Sequence, residues 1–180
     1  MNILVIYGSL RERSINKALA MSAQKKAPEG MSMEVVGIEG FPLYSDTIEN
    51  AGFPPIATLY KEKIKAADGI IVVTPEYNRS IPGSLKNVID WTSRGELPWK
   101  GKPVGVIGAS DGLRGASFAQ YDLKCILAYF GAHVMGQPEF YFHEADKKID
   151  GTGAITDEKT NQVLTKYVAA FKAHVELIKK

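Results

Sequence analysis

Runs of consecutive apolar residues divide the chain into short segments that predict buried β-strands. Residues 3–7, 69–74 and 103–108 are mostly aliphatic and do not alternate with polar positions. Continuous runs of this kind are typical of parallel strands that are covered on both faces. Residues 33–37 and 132–135 are two weaker candidates. The pattern therefore predicts five strands.

Helical periodicity follows each of these strands. In five segments the apolar residues recur at spacings of three and four, which places them on one face of a helix. These segments lie around residues 15–19, 56–64, 85–89, 119–130 and 164–178. We expect Pro82 at the first position of the third helix and Gly131 directly after the fourth. Thr156 is the expected N-cap of the last helix.

The alternation of strand and helix, repeated five times, predicts an α/β fold with an open parallel sheet and helices on both faces. Five strands with a glycine-containing loop after the first favour the flavodoxin-like three-layer sandwich, with strand order 2-1-3-4-5. No linker or repeat is visible, so residues 1–180 are expected to form one domain. Residues 40–55 contain two glycines and three prolines and predict a surface loop.

Composition and charge narrow the possible partners. The net charge of +2 is too small to indicate nucleic-acid binding, although it suits small anionic ligands. Cys125, the single cysteine, lies in an apolar helical segment and is expected to be a buried, inert thiol. The three histidines are scattered without ligand spacing, so we expect no metal site.

The length of the apolar runs bears on the location of the protein. No run approaches the roughly 20 residues of a membrane-spanning helix. The apolar start of the chain has no basic flank of the kind that precedes a signal sequence. We therefore expect a cytoplasmic protein without a membrane span.

The loop over residues 8–16 connects the first buried strand to the first helix, which is a favourable place for an anion. Backbone N–H groups at the start of a helix carry positive potential. Ser9 and Ser14 add hydroxyl groups, Arg11 adds charged donors and Asn16 adds an amide. The loop lacks the Walker ending and the Gly-x-Gly-x-x-Gly pattern, which disfavours ATP hydrolysis and a dinucleotide site. The alternative is that Ser14 only caps the helix and the arginines are solvated.

The loop over residues 74–83 follows the third strand and is stiffened by Pro75 and Pro82. Backbone amides of a stiff loop can hydrogen-bond the edge of a flat polar heterocycle, and Tyr77 offers aromatic area beside it. The alternative is that Tyr77 packs on protein and Glu76 is simply exposed.

The loop over residues 109–116 follows the fourth strand. Gly112 and Gly115 allow the backbone to approach a ligand closely, and Ser110 and Arg114 are possible donors. Taken alone, this segment favours an ordinary turn between a strand and a helix.

Together these loops resemble the NAD(P)H-dependent FMN reductase family, which includes quinone, chromate and azo-dye reductases. Residues 8–16 carry the pattern Gly-Ser-x-Arg-x-x-Ser-x-Asn. Residues 75–78 read Pro-Glu-Tyr-Asn, residues 80–83 read Ser-Ile-Pro-Gly, and residues 85–91 read Leu-Lys-Asn-Val-Ile-Asp-Trp. The resemblance covers almost the whole chain and is least diagnostic in the last helix.

The resemblance implies a cofactor and a reaction. FMN would be the cofactor and NADH or NADPH the co-substrate, with electrons passing to a small-molecule acceptor by a ping-pong mechanism. The acceptor would be a quinone, chromate, an azo or nitro compound, or free flavin. The flavin N5 would carry the chemistry, so no catalytic side chain and no metal is expected.

The same resemblance assigns the cofactor contacts. The implied residues are Ser9, Arg11, Ser14, Ile15 and Asn16 at the phosphate and ribityl end, Pro75, Glu76, Tyr77 and Asn78 along the isoalloxazine ring, and Ser110 and Gly112 at its other edge. One departure lies in the third loop, where many relatives have a second glycine pair and this chain has Asp111. We expect Asp111 to face solvent.

Three other functions occur in proteins of the same fold class. A flavodoxin-type electron carrier is usually strongly acidic, so the net charge of +2 counts against it. A phosphorelay receiver needs acidic residues after the first and third strands, where Gly8 and Pro75 stand instead. A flavin-binding regulatory module is consistent with the same sequence features.

Relatives of this type are dimers or tetramers, so a homodimer or homotetramer is expected. Tyr44, Phe53, Trp91 and Trp99 lie near loops and are candidates for burial against a second copy. Elution as a monomer in size-exclusion chromatography would contradict this expectation.

Overall fold

The computed structural model describes residues 1–179 and contains a mainly parallel sheet between two layers of helices. The strands are β1 (Asn2–Tyr7), β2 (Ser32–Val36), β3 (Gly69–Thr74), β4 (Pro103–Ala109), β5 (His133–Val134) and β6 (Tyr141–Phe142). The helices are α1 (Ile15–Lys25), α2 (Asp46–Ala51), α3 (Pro55–Ala66), α4 (Gly83–Thr92), α5 (Ser117–Tyr129) and α6 (Glu158–Ile178), with a short 3₁₀ turn at Ala145–Lys147.

The predicted fold class and strand order are confirmed. The sheet runs β2-β1-β3-β4-β5, and every pair of neighbouring strands is parallel. Side chains from α1 and α6 pack on one face of the sheet, and side chains from α3, α4 and α5 pack on the other. Because both faces are covered, the central strands are apolar at nearly every position.

The fifth strand is divided into two short pieces, which the sequence pattern did not predict. β5 pairs with Pro103 and Val104 at the start of β4, whereas β6 pairs with Gly108 and Ala109 at its end. The chain leaves the sheet between the two pieces, at a segment that contains Pro138, which lacks a backbone N–H for pairing. The second piece, β6, therefore extends the sheet beside the carboxyl end of β4.

Several predicted helix boundaries were wrong by one residue. Asp157, not Thr156, is the N-cap of α6, where its carboxylate accepts a hydrogen bond from the backbone N–H of Thr160 at 2.8 Å. Pro82 is the N-cap of α4 and not its first helical residue.

The segment 40–55, predicted as a loop, contains a short helix, α2, which begins after the capping side chain of Ser45.

The prediction that Cys125 is buried was also wrong. Cys125 is exposed on α5, because Leu123 and Leu127 face the sheet and the residue midway between them points outward. Apolar residues also occupy the outer side of this helix, although only one stripe of it is covered.

Two aromatic residues proposed for a subunit contact are already buried within one chain. Trp91 and Trp99 are 0 % and 1 % exposed. The Trp91 indole N–H donates to the carbonyl of Pro42 at 2.8 Å, and Tyr44 and Phe53 pack edge-on against its ring. Trp91 and Trp99 are therefore shielded from solvent without a second copy of the chain. The homo-oligomer stays a prediction.

No helix within residues 1–179 is long and apolar enough to cross a membrane.

Gly105, in the middle of β4, sets how closely α6 approaches the sheet. A Cβ atom at this position would lie 2.7 Å from the Tyr167 hydroxyl and 3.0 Å from the Phe171 ring. The Tyr167 hydroxyl donates to the carbonyl of Val106 at 3.1 Å, and burial raises the pKa of Tyr167. The missing side chain therefore makes room for two aromatic rings of α6.

We expect Gly105→Ala to lower the free energy of unfolding by about 1–3 kcal/mol, because α6 would have to shift away from β4. Gly136→Ala is the matched control, since a Cβ there meets no atom within 4 Å. Urea unfolding followed by circular dichroism measures both variants. Equal stability of the two variants would contradict the packing argument.

Candidate functional site

The loops that follow β1, β3 and β4 converge around a cavity of about 140 Å³ at the carboxyl edge of the sheet. The cavity is lined by Ser9, Arg11, Ser14, Ile15, Asn16, Pro75, Glu76, Tyr77, Ala109, Ser110 and Asp111. Of the residues predicted for the site, only Asn78 and Gly112 lie outside this lining. Ala109 and Asp111 line the cavity without having been predicted as cofactor contacts.

The start of α1 presents backbone donors toward this cavity. The Ser14 hydroxyl accepts from the backbone N–H of Lys17 at 3.1 Å, so the predicted capping role is present. The N–H groups of Ile15 and Asn16 lie in the first helical turn and have no acceptor within residues 1–179. The cap therefore leaves further donors available to an anion.

Ser9 and Arg11 complete the donor set of the first loop. Ser9 is buried, and its Oγ accepts from the backbone N–H of Arg11 at 3.3 Å. The Arg11 guanidinium is exposed at the cavity and has no carboxylate partner in the described part of the chain. A charged fork beside unsatisfied N–H groups is an arrangement that suits a phosphate.

Asn16 has a structural role that the sequence did not reveal. Its buried side chain donates to the carbonyl of Ala109 at 3.0 Å and accepts from the N–H of the same residue at 3.0 Å. These two bonds join the start of α1 to the end of β4. The Asn16 side chain is therefore a clamp that positions the first loop against the third.

The second loop is a rigid two-residue hairpin turn. The backbone N–H of Tyr77 donates to the carbonyl of Ser80 at 2.9 Å, and the N–H of Ser80 donates back at 3.1 Å. Asn78 and Arg79 between them have φ values of 51° and 67°, as a type I′ turn requires. The Tyr77 side chain is 50 % exposed, so its aromatic area faces outward beside the cavity.

Glu76 joins the second loop to α5. Its Oε2 accepts from the backbone N–H of Phe118 at 3.0 Å and of Ala119 at 3.2 Å. The N-cap position of α5 is Ala116, which offers no side-chain cap. The Glu76 carboxylate therefore caps α5 from the hairpin, next to the positive end of the helix.

β6 and Gly115 hold the third loop. The backbone N–H of Ser110 donates to the carbonyl of Phe142 at 3.0 Å, and the Ser110 hydroxyl donates to the carbonyl of Gly112 at 3.3 Å. Gly115 has a φ of 55°, and a Cβ there would lie 2.7 Å from the backbone of Tyr141. Asp111 is exposed while also lining the cavity.

Tyr7, the last residue of β1, adds no negative charge next to the loop over residues 8–16. Burial and the nearby Glu39 carboxylate raise the pKa of Tyr7. Its neutral hydroxyl donates to Glu39 at 3.4 Å, and the Lys17 ammonium lies 6.0 Å from the centre of its ring.

Larger cavities of about 570, 410 and 330 Å³ lie elsewhere on the surface. The largest is between α1 and the turn at residues 149–153. Size alone does not identify the site, because in open α/β sheets ligands bind at the carboxyl ends of the strands, where the strand order reverses. The smaller cavity occupies that place, between the loops after β1 and β3.

We expect Asn16→Ala to lower the free energy of unfolding by roughly 2–4 kcal/mol, because both backbone groups of Ala109 would lose their partners in a buried setting. Asn50→Ala, at an exposed position on α2, is the control and should change stability by less than about 0.5 kcal/mol. Denaturant unfolding of the two variants measures the difference. A loss as small as that of the control would mean that water replaces the clamp.

Comparisons with known proteins identify the family of the chain. The sequence profile described as NADPH-dependent FMN reductase matches residues 1–147. A 2-hydroxy-1,4-benzoquinone reductase from Burkholderia sp is 42% identical over 177 residues, covering 97% of this chain and 96% of the relative. A quinone reductase from Escherichia coli is 39% identical over 183 residues, covering 99% and 97%.

A solved structure is similar over almost the full length. The flavoenzyme NAD(P)H:(acceptor) oxidoreductase FerB from Paracoccus denitrificans superposes with a TM-score of 0.89, at 38% sequence identity, covering 97% of each chain. The resemblance inferred from the loop motifs is thereby confirmed. The chain belongs to the NADPH-dependent FMN reductase family and is an oxidoreductase that works with FMN and NAD(P)H.

Proposed function

We propose that FMN binds with its phosphate at the start of α1. The observation that carries this proposal is the meeting of unsatisfied N–H groups at Ile15 and Asn16 with the unpaired Arg11 guanidinium at one cavity. A dianionic phosphate satisfies both the helix start and the arginine. The hydroxyls of Ser9 and Ser14 lie in the same lining and extend the donor set toward the ribityl chain.

The flavin ring would lie across the mouth of the cavity, because about 140 Å³ is too small for a tricyclic ring as well as the phosphate. Pro75, Glu76, Tyr77 and Asn78 would line one side, and Ser110 and Gly112 the other edge. The hairpin and the Glu76 cap make the first of these sides rigid. A rigid lining holds a flat ring in one orientation without reorganisation.

Bound FMN supplies the centre that takes up and gives back a hydride. The protein residues position it and control what can approach. Tyr77 and Asn78, exposed on the hairpin, shape the opening through which an electron donor or acceptor arrives. No general acid or base from the chain is required for hydride transfer to or from the flavin.

The acceptor that these observations support is a quinone. The relatives from Burkholderia and Escherichia coli are named for quinone reduction. A shallow opening over a flat ring also admits other small oxidants, so chromate, azo and nitro compounds and free flavin belong to the proposed range. NAD(P)H and the acceptor would use the same opening in turn, as a ping-pong mechanism requires.

We expect Arg11→Ala to raise the Kd of the apoprotein for FMN by about 10- to 100-fold, since a charge-assisted hydrogen bond contributes about 1.5–3 kcal/mol. Affinity for riboflavin, which lacks the phosphate, should change little. Arg13→Ala is the matched control, because Arg13 carries the same charge on the same loop but does not line the 140 Å³ cavity. Quenching of flavin fluorescence measures the Kd of the unaltered protein and of both variants for FMN and for riboflavin. Equal losses for FMN and riboflavin would place the phosphate elsewhere.

We expect parallel lines in double-reciprocal plots when NADPH and a benzoquinone are varied together, as ping-pong turnover requires. Intersecting lines would show that both substrates bind at once and would contradict the shared opening. A purified protein that is colourless and takes up no added FMN would overturn the proposed function as a whole.

A further inference from the structure

Two arginines from different loops converge on one exposed aromatic ring beside the site. The guanidinium carbon of Arg79 lies 5.2 Å from the centre of the Phe118 ring, and that of Arg114 lies 5.6 Å from the same centre. Arg79 belongs to the hairpin after β3 and Arg114 to the loop after β4. The Phe118 side chain is 39% exposed. We name this group the arginine–phenylalanine cluster.

The two guanidinium groups form no ion pair with an acidic side chain of the described residues. Within residues 1–179, neither Arg79 nor Arg114 forms an ion pair or a side-chain hydrogen bond. Glu76, the acid that contacts this end of α5, already accepts hydrogen bonds from the N–H groups of Phe118 and Ala119. Two guanidinium groups and the single Glu76 carboxylate leave a net positive charge at this end of α5, which favours the binding of an anion.

Arg79 occupies a backbone conformation that its residue type disfavours. Its φ of 67° lies in the left-handed region, at a turn position where glycine is strongly preferred. Glycine would suit the turn better, so the arginine side chain is kept at a cost to the backbone. Strained residues of this kind concentrate at binding sites, which points to a role for the guanidinium itself.

The cluster lies just outside the proposed flavin cavity. Tyr77 and Asp111 are lining residues, and Arg79 and Arg114 follow them by two and three positions in the same loops. A ligand whose reactive end lies over the flavin ring at the mouth of the cavity would therefore bring its other end near the cluster. The nicotinamide co-substrates have this form, since a reactive ring at one end is joined through phosphates to an adenosine at the other.

We infer that Arg79, Arg114 and Phe118 bind the phosphate-bearing adenosine part of NAD(P)H. This inference rests on the proposed function. The guanidinium groups would hold phosphate oxygens, and the Phe118 ring beside them would contact the adenosine. The pyrophosphate is common to NADH and NADPH, whereas the 2′-phosphate is present only in NADPH. A guanidinium–phosphate contact can therefore be tested separately at the pyrophosphate and at the 2′-phosphate.

The kinetic test uses Arg79→Gly and Arg114→Gln in the FMN-loaded protein. Glycine suits the φ of residue 79, so loss of charge there is not accompanied by a strained turn. Each variant should raise the KM for NADPH about tenfold while kcat and the KM for the quinone stay unchanged. Arg79→Lys should recover part of the affinity, because it keeps a positive charge.

Arg94→Gln is the matched control. The Arg94 guanidinium also lies over an aromatic ring, 5.2 Å from the centre of Tyr44, but at the far end of α4 from the strand ends that form the site. The Arg94→Gln substitution removes the same unit of charge and should leave the KM for NADPH unchanged. An equal rise in all three variants would mean that only the overall charge matters, which would overturn the inference.

Calorimetric binding of two fragments supplies a readout that does not depend on turnover. Weaker binding of 2′,5′-ADP to the arginine variants supports a 2′-phosphate contact, and weaker binding of ADP supports a pyrophosphate contact. Unchanged binding of both fragments together with an unchanged KM for NADPH and NADH would overturn the inference. Failure of the proposed function is separate, since it is seen as absent FMN uptake or absent NAD(P)H oxidation in the unaltered protein.

Discussion

The carboxamide of Asn16 hydrogen-bonds both backbone groups of Ala109, and this buried pair fixes the start of α1 against the end of β4. Parallel strands bring their carboxyl ends to the same edge of a sheet, but they do not by themselves set the distance between the loops that follow. The Asn16 clamp sets that distance. The cavity between the loops therefore depends on an amide that the sequence motif suggests for ligand binding.

A second connection gives the site its rigidity. Glu76 leaves the hairpin after β3 and caps α5, the helix that begins after the third loop. β6 supports the same loop from the other side by pairing with the last residues of β4. Each of the three loops is thus tied to another element, which agrees with the need of a bound flavin for a fixed orientation and not for a mobile lid.

Charge is distributed along the site in a way that separates two tasks. At the start of α1, Arg11 and the free N–H groups suit a phosphate that stays bound. Farther out, Arg79 and Arg114 flank an exposed ring at the rim, where a co-substrate must arrive and leave. Arg11 acts together with the free N–H groups of a helix start, whereas Arg79 and Arg114 act as exposed side chains only. Exposed charges act through solvent and hold a ligand weakly, which suits a partner that turns over.

The sequence by itself determined the fold class, the strand order and the three loops of the site, because continuous aliphatic strands and amphipathic helices follow from local periodicity. The loop motifs also determined the family. Only the tertiary structure decided that Asn16 clamps β4, that Glu76 caps α5 and that Cys125 is exposed. It likewise placed β6 beside the site and buried Trp91 and Trp99 within one chain. Each of these outcomes depends on contacts between residues far apart in the chain, for which the local pattern of apolar and polar positions carries no signal.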